Sequence, residues 1–170
     1  MRLQAVPLTP ELFAPYGQVL MAQHGVPERK VWAASVDNLR PEARANMTYM
    51  SLEPEHYPVV VPDLERHQFS HQIFVPLEGT NHLVVVCPSK KDGSPDLDKA
   101  IAFHATGGQS VNYNANVWHA PRMVLHNPGS FIMLRWDADT AADTELITME
   151  QPYIVEPPEG SDTNFSLVNH

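Results

Sequence analysis

Sixteen prolines and eight glycines interrupt this 170-residue chain at short intervals, and that punctuation limits what it can fold into. Proline removes a backbone donor and clashes with the preceding helical turn, and glycine weakens a helix through backbone entropy. Few windows are left with an unbroken helical period. The best spans residues 9–16: Thr9 can cap it, Pro10 suits its first turn, Glu11 favours its positive end, and Gly17 stops it. A second short turn is expected at 94–99. Elsewhere the β-prone segments 47–52, 72–76, 82–87, 101–104, 110–113 and 130–136 are separated by Gly79-Thr80, Lys91-Asp92-Gly93, Gly107-Gly108 and Asn127-Pro128-Gly129. Short strands at near-regular spacing predict an all-β sandwich or barrel with one or two short helices.

The length suits a single domain over residues 1–170, and no repeat or long linker divides it. From about Val155 the chain turns polar, with Pro157, Pro158, Gly160 and Ser161, so 155–170 is expected to be an extended C-terminal arm. The longest apolar runs, Val59-Val60-Val61 and Leu83-Val84-Val85-Val86-Cys87, are far shorter than the roughly 20 residues of a membrane helix. No signal peptide is evident, and the lone cysteine, Cys87, reads as a small buried hydrophobe; both suit a cytoplasmic protein. A net charge of −9, from 20 acidic and 11 basic residues, disfavours nucleic acid as a partner. An anionic substrate would therefore need locally placed positive charge. Of the nine histidines, His24, His126 and His170 lie in loop-like or terminal contexts, and most of the nine are expected to be solvated.

Two stretches carry chemistry. In the run from Glu65 to Gly79, positions 65 and 67 share one face of a strand. Position 72 has the opposite parity and joins them only across a turn or bulge; on an unbroken strand His71 would take its place. In the run from Gly107 to Pro121, a strand passes through a tight turn into Trp118-His119. Two inward histidines, a carboxylate and an amide could hold a divalent metal or a small anion, although a Trp-His pair at a turn is commonly structural.

The first run resembles the first cupin motif, with Glu65 and His67 in its His-x-His positions, Gln72 in its Glu position and Gly79 as its closing Gly. The second is similar to the second cupin motif. Leu64-Glu65-Arg66-His67, Gln72-x-Phe74-x-Pro76, Pro95-Asp96-Leu97 and Asn116-Val117-Trp118-His119-x-Pro121 together resemble the ureidoglycolate lyase family. So do Leu3-x-x-x-Pro7-Leu8 and Phe13-x-x-Tyr16-Gly17, and the likeness runs to about residue 136. It implies a cupin-like β-barrel of jelly-roll type, usually a homodimer, acting in allantoin breakdown within purine metabolism and responding to nickel. One region departs: the family's Arg-aromatic segment before residue 47 is shortened, leaving Arg40 or Arg44 as partial matches.

The resemblance implies a reaction and roles. Ureidoglycolate carries a hydroxyl, a carboxylate and a urea nitrogen on one carbon, and its collapse to glyoxylate and urea needs a base for the hydroxyl and an acid for the departing nitrogen. His119 is expected to be the principal acid/base, histidine being suited to either task. His67 and Glu65 would hold the oxygen end of the substrate or a metal, and Gln72 would donate to an oxygen and accept from a urea N–H. Arg66, Tyr113, Asn116 and Trp118 complete the expected substrate contacts, with an outward salt bridge the even alternative for Arg66. Glu65, His67, Gln72 and His119 are the expected ligands of a weakly held Ni²⁺ or other divalent cation, since neutral Gln72 lowers the charge of the set. The alternatives are a ureidoglycolate amidohydrolase, another cupin enzyme such as an epimerase or metal-dependent dioxygenase, and a non-catalytic ligand-binding cupin.

Overall fold

The computed structural model describes residues 1–21 and 35–160. Its central strand, His82–Cys87, is buried along its whole length. The apolar run cannot hide on one face, because strand side chains alternate. Leu83, Val85 and Cys87 enter one hydrophobic cluster, while Val84 and Val86 enter another.

Two sheets create those two interiors. The larger sheet orders Arg2–Gln4, Glu145–Glu156, Val59–Arg66, Trp118–His119, His82–Cys87, Met123–Leu125 and Pro54–Glu55. Ile101–Ala105 pairs with His82–Cys87 and with Val6–Pro7. The N-terminal segment thus joins both flanks of this sheet: Arg2–Gln4 lies parallel to Glu145–Glu156, and Val6–Pro7 lies parallel to Ile101–Ala105. The result is a nearly closed curl around the first cluster, whose members come from its strands except Ala5 and Ala120, each next to a strand end. The smaller sheet orders Gly17–Met21, Gln109–Tyr113, Gln72–Pro76, Gly129–Asp137 and Arg44–Leu52. It packs Phe74, Val111, Tyr113, Phe131 and Met133 against the other face of the larger sheet, forming the second cluster. The architecture is an all-β, cupin-like barrel, and its second interior positions the site.

Strands 72–76 and 82–87 form as expected, and the other four anticipated segments gain one to three residues. The helix is shorter than expected, Pro10–Phe13. Thr9 Oγ caps it by accepting from the Leu12 N–H, but Gly17 is already paired with Tyr113. A Cβ on Gly17 would lie 1.9 Å from the Asn112 carbonyl oxygen, so close strand approach requires glycine there. The turn at 94–99 tightens into a 3₁₀ helix, Leu97–Lys99.

The C-terminal boundary moves. Glu145–Glu156 is a strand between Val59–Arg66 and Arg2–Gln4, so Val155 and Glu156 belong to the sheet and an arm can begin only after them. Pro152 and the register shift between Thr148 and Tyr153 hid this strand in the sequence. Residues 161–170, and with them His170, lie outside the described residues, as does His24. The expectation of mostly solvated histidines is also corrected: His67, His82 and His119 are buried, and His104 and His126 are half-buried beside Tyr57. Among the described residues no helix is long and apolar enough to cross a membrane.

Candidate active site

The Asn116-to-His119 segment shows how a tight turn builds a site. Asn116 adopts φ 69°, a left-handed conformation that asparagine tolerates better than most residues. Its backbone N–H donates to the His67 carbonyl at 2.7 Å, tying the turn to the end of strand Val59–Arg66. The next residues alternate. Trp118 points into the first cluster, where its indole N–H donates to the Gly93 carbonyl at 3.0 Å. His119 points the opposite way, between the sheets, and is the cross-strand partner of Glu65. Side chains of such partners share a face, and His119 Nε2 lies 3.4 Å from Glu65 Oε1.

His67 joins them just beyond the strand, its Nε2 3.6 Å from the same carboxylate oxygen. The chain then turns across to the smaller sheet, so the parity break at Gln72 is real: its amide reaches His119 Nε2 at 2.9 Å. His71 is directed elsewhere, to the Ser35 carbonyl and Asp37. Gln72 belongs to a cross-strand row with Arg135 on one side and Tyr113 on the other. The Tyr113 ring stacks on His119 with centroids 4.1 Å apart and planes 12° from parallel.

Both histidines are gripped identically. The Nδ1–H of His67 donates to the Asp143 carbonyl at 2.8 Å and that of His119 to the Val117 carbonyl at 2.9 Å. Each Nε2 is thereby turned toward Glu65, and His67 Nε2 is buried with no hydrogen-bond partner. Fixing one ring nitrogen on a carbonyl presents the other as a base or metal ligand. Ligand atoms of Glu65, His67 and His119 all lie within 4.8 Å of one another. Two imidazoles and a carboxylate facing a common point, with one nitrogen unpaired, suit a divalent cation; Gln72 touches His119 from outside this triad.

Electrostatics separate the protonation states. Burial alone would raise the Glu65 carboxyl, but hydrogen bonds and charge from His119 and His67 outweigh it and hold the group well below the usual carboxylate range. Burial pushes His119 below the ordinary imidazole value, and Glu65 only partly restores it. Burial thus opposes a proton on His119, while its partners favour the carboxylate form of Glu65. Acceptors already face both nitrogens of His119, so a proton gained there is stabilised at once.

Comparison with known proteins is consistent throughout. Residues 1–156 match the family model described as ureidoglycolate lyase. The chain is 32% identical over 164 residues to the ureidoglycolate lyase of Stutzerimonas stutzeri (strain A1501), covering 91% of this chain and 95% of that protein. It is likewise 32% identical over 159 residues to the ureidoglycolate lyase of Escherichia coli (strain HS), covering 89% and 98%. The chain belongs to the ureidoglycolate lyase family.

The family match extends the likeness past residue 136 to the strand Glu145–Glu156. In this ureidoglycolate lyase family member the triad, Gln72 and Tyr113 come together, while three expected substrate contacts do not join them. Arg66 lies on the opposite strand face from Glu65. Its guanidinium sits 4.5 Å from the Trp118 ring, pairs with Glu145, and donates to the Gly93 carbonyl and Asn116 Oδ1. Arg66, Trp118 and Asn116 thus brace the turn from the side of the larger sheet opposite the triad. Arg40 pairs with Asp143, behind His67, and Arg44 is exposed on the edge strand. Sequence reading missed Arg135, in the same row as Gln72 and 3.4 Å from His67 Nδ1. It also missed Arg122, whose Nη2 donates to the Tyr113 hydroxyl at 3.2 Å. A cation inside the apolar strand 130–136 was the available signal for Arg135; Arg122 had none.

Proposed function

We propose that this protein is an enzyme that cleaves ureidoglycolate to glyoxylate and urea. The observation that carries the reading is His119, buried with Nε2 toward Glu65 and Gln72, in a chain of the ureidoglycolate lyase family. The substrate hydroxyl gives its proton to His119 Nε2 as its oxygen forms the glyoxylate carbonyl. The carbon–nitrogen bond breaks, its electron pair goes to the urea nitrogen, and the same proton is delivered there from the imidazolium. Glu65 stabilises that imidazolium while it exists, and Gln72 and Tyr113 hold the substrate against it. General acid–base work of this kind contributes about 10²–10⁴-fold in rate.

Glu65, His67 and His119 are also the residues that would hold a divalent cation, with Gln72 beside them; nickel is the candidate. When bound, the cation supplies a Lewis acid for the substrate oxygen. It would occupy the Nε2 atoms used above, so chelation and nickel addition report which form is active.

The decisive experiment is incubation with racemic ureidoglycolate, with and without nickel, measuring glyoxylate, urea and ammonia. Glyoxylate and urea in equal amounts above the spontaneous rate support the reading. Ammonia instead of urea would indicate hydrolysis at the urea carbonyl, and no excess glyoxylate in either condition would overturn the assignment. The proposal extends to a homodimer acting in cytoplasmic allantoin breakdown. Met47 and Tyr49, 69% and 61% exposed on the edge strand Arg44–Leu52, support the dimer, which light scattering tests.

A further inference from the structure

Arg40, Arg66 and Arg135 each sit against an acid: Asp143, Glu145 and Asp137 respectively. Arg122 does not. It is only 8% exposed, and no carboxylate pairs with it among the described residues. Its guanidinium lies 4.1 Å from the Phe74 ring and 5.3 Å from the Phe131 ring. Nη2 reaches the Tyr113 hydroxyl, whereas Nε and Nη1 are buried with no partner.

A second unmet group lies beside it. His82 is fully buried, with its Nδ1–H donating to the Thr80 carbonyl at 3.2 Å and its Nε2 unpartnered. Its ring meets Phe131 edge-on at 5.3 Å, the same ring that Arg122 faces. Burial, and then the charge of Arg122, push its pKa down to about 3, so it is neutral and Nε2 can only accept. Cation–π contact offsets part of the desolvation of a guanidinium but satisfies none of its in-plane N–H groups. A buried cation with open donors, next to an open acceptor, is chemically complementary to an anion that also carries a donor.

We propose that Arg122, the Tyr113 hydroxyl and His82 Nε2 form the seat for the carboxylate of a small α-hydroxy acid. Nη1 and the remaining proton of Nη2 present a fork to the carboxylate. The Tyr113 hydroxyl accepts from Arg122 and gives its own proton to the same group. His82 Nε2 accepts from a ligand O–H or N–H. The strand Gln72–Pro76 sets the spacing. Gln72 and Phe74 point to the same side, one strand repeat of about 6.6 Å apart; Gln72 touches His119 and Phe74 touches Arg122. Tyr113 spans the two groups, its ring on His119 and its hydroxyl on Arg122, so a ligand held by its carboxylate at Arg122 would have its next carbon on the His119 side. The identity of that ligand as ureidoglycolate rests on the lyase reading, whereas the anion seat does not.

The test uses protein freed of metal by a chelator, with glycolate as probe and uncharged glycolamide as its control. Calorimetric titration and thermal melting should show wild type binding and being stabilised by glycolate but not glycolamide. Arg122→Met, nearly the same shape without charge, should weaken glycolate binding at least tenfold and melt no lower than wild type without ligand. Arg122→Lys, which keeps the charge but loses the fork, should fall between them and serves if the methionine variant does not fold. With ureidoglycolate, the Arg122→Met loss should fall mainly on KM, rising at least tenfold. Equal glycolate affinity in wild type and either variant, or equal binding of glycolamide, overturns the seat. A protein that makes no glyoxylate yet binds glycolate through Arg122 keeps the seat and loses the lyase reading. A working lyase whose KM ignores Arg122 does the reverse.

Discussion

Replacing Glu65 by Gln removes one charge from the centre of the site while keeping its shape and most of its hydrogen-bonding capacity. In the wild type the carboxylate faces His119 Nε2 at 3.4 Å. Two unit charges at that separation attract by about 5 kcal/mol at an effective dielectric constant of about 20. That attraction exists only while His119 carries the substrate's proton, so it lowers the barrier rather than tightening the ground state. The glutamine dipole retains part of it, leaving a net loss of about 2–4 kcal/mol, equivalent to a fall in kcat of about 30- to 1,000-fold. The assay is glyoxylate formation at saturating and at limiting substrate across pH, giving kcat and kcat/KM.

The direction of the pH effect is also determined. Burial lowers His119, and Glu65 opposes that lowering by hydrogen bond and charge. Losing the carboxylate should shift the acidic limb of kcat/KM to lower pH. Stability carries a second sign. The Glu65 carboxyl lies below its ordinary value in the folded protein, so its contribution is present above the usual carboxylate range and is lost as pH falls below it. The Gln variant should lack that component of acid destabilisation. A kcat within threefold of wild type, or an acidic limb moving upward, would refute the reasoning.

Three further outcomes follow from the fold and the site. His119→Ala should lower kcat by about 10²–10⁴-fold while circular dichroism remains that of the wild type, because the second hydrophobic cluster holds the two sheets together without His119. Leu83→Ala, in the strand buried on both faces, should cost about 2–5 kcal/mol in urea unfolding. Asn116→Gly should retain the left-handed turn at φ 69° and near-native melting. Asn116→Ala should melt lower by the equivalent of about 1–2 kcal/mol and lose activity as His67 and His119 drift apart.

Local chemistry made much of this molecule legible in the sequence. Prolines and glycines excluded helix, alternation and β-branched runs placed strands 72–76 and 82–87, and the Glu65-x-His67 and Trp118-His119 pairs put three polar groups on inward faces. Other features were hidden because they depend on long-range pairing. The strand Glu145–Glu156 was not anticipated, and its last residues, Val155 and Glu156, were read as the start of an arm until pairing with Val59–Arg66 and Arg2–Gln4 placed them in the sheet. Strand parity alone favoured His71 and the motif resemblance favoured Gln72; the crossing from one sheet to the other brings Gln72 to His119. Arg66 sits between two site residues and faces away from both, the outward salt bridge that strand parity left as the even alternative to a substrate contact. Arg122, three residues after His119, has no periodicity to reveal that it is buried among Phe74, Phe131 and Tyr113.

The sequence by itself determined that this chain is all-β and pointed to Glu65, His67 and His119 as its candidate reactive groups, because turn chemistry and strand period act over a few residues. Only the tertiary structure decided that the Glu65 carboxyl is held low, that burial pushes His119 down, and that the buried Arg122 pairs with no acid among the described residues. Those are properties of burial and of distances between strands some fifty residues apart, and no local pattern encodes them.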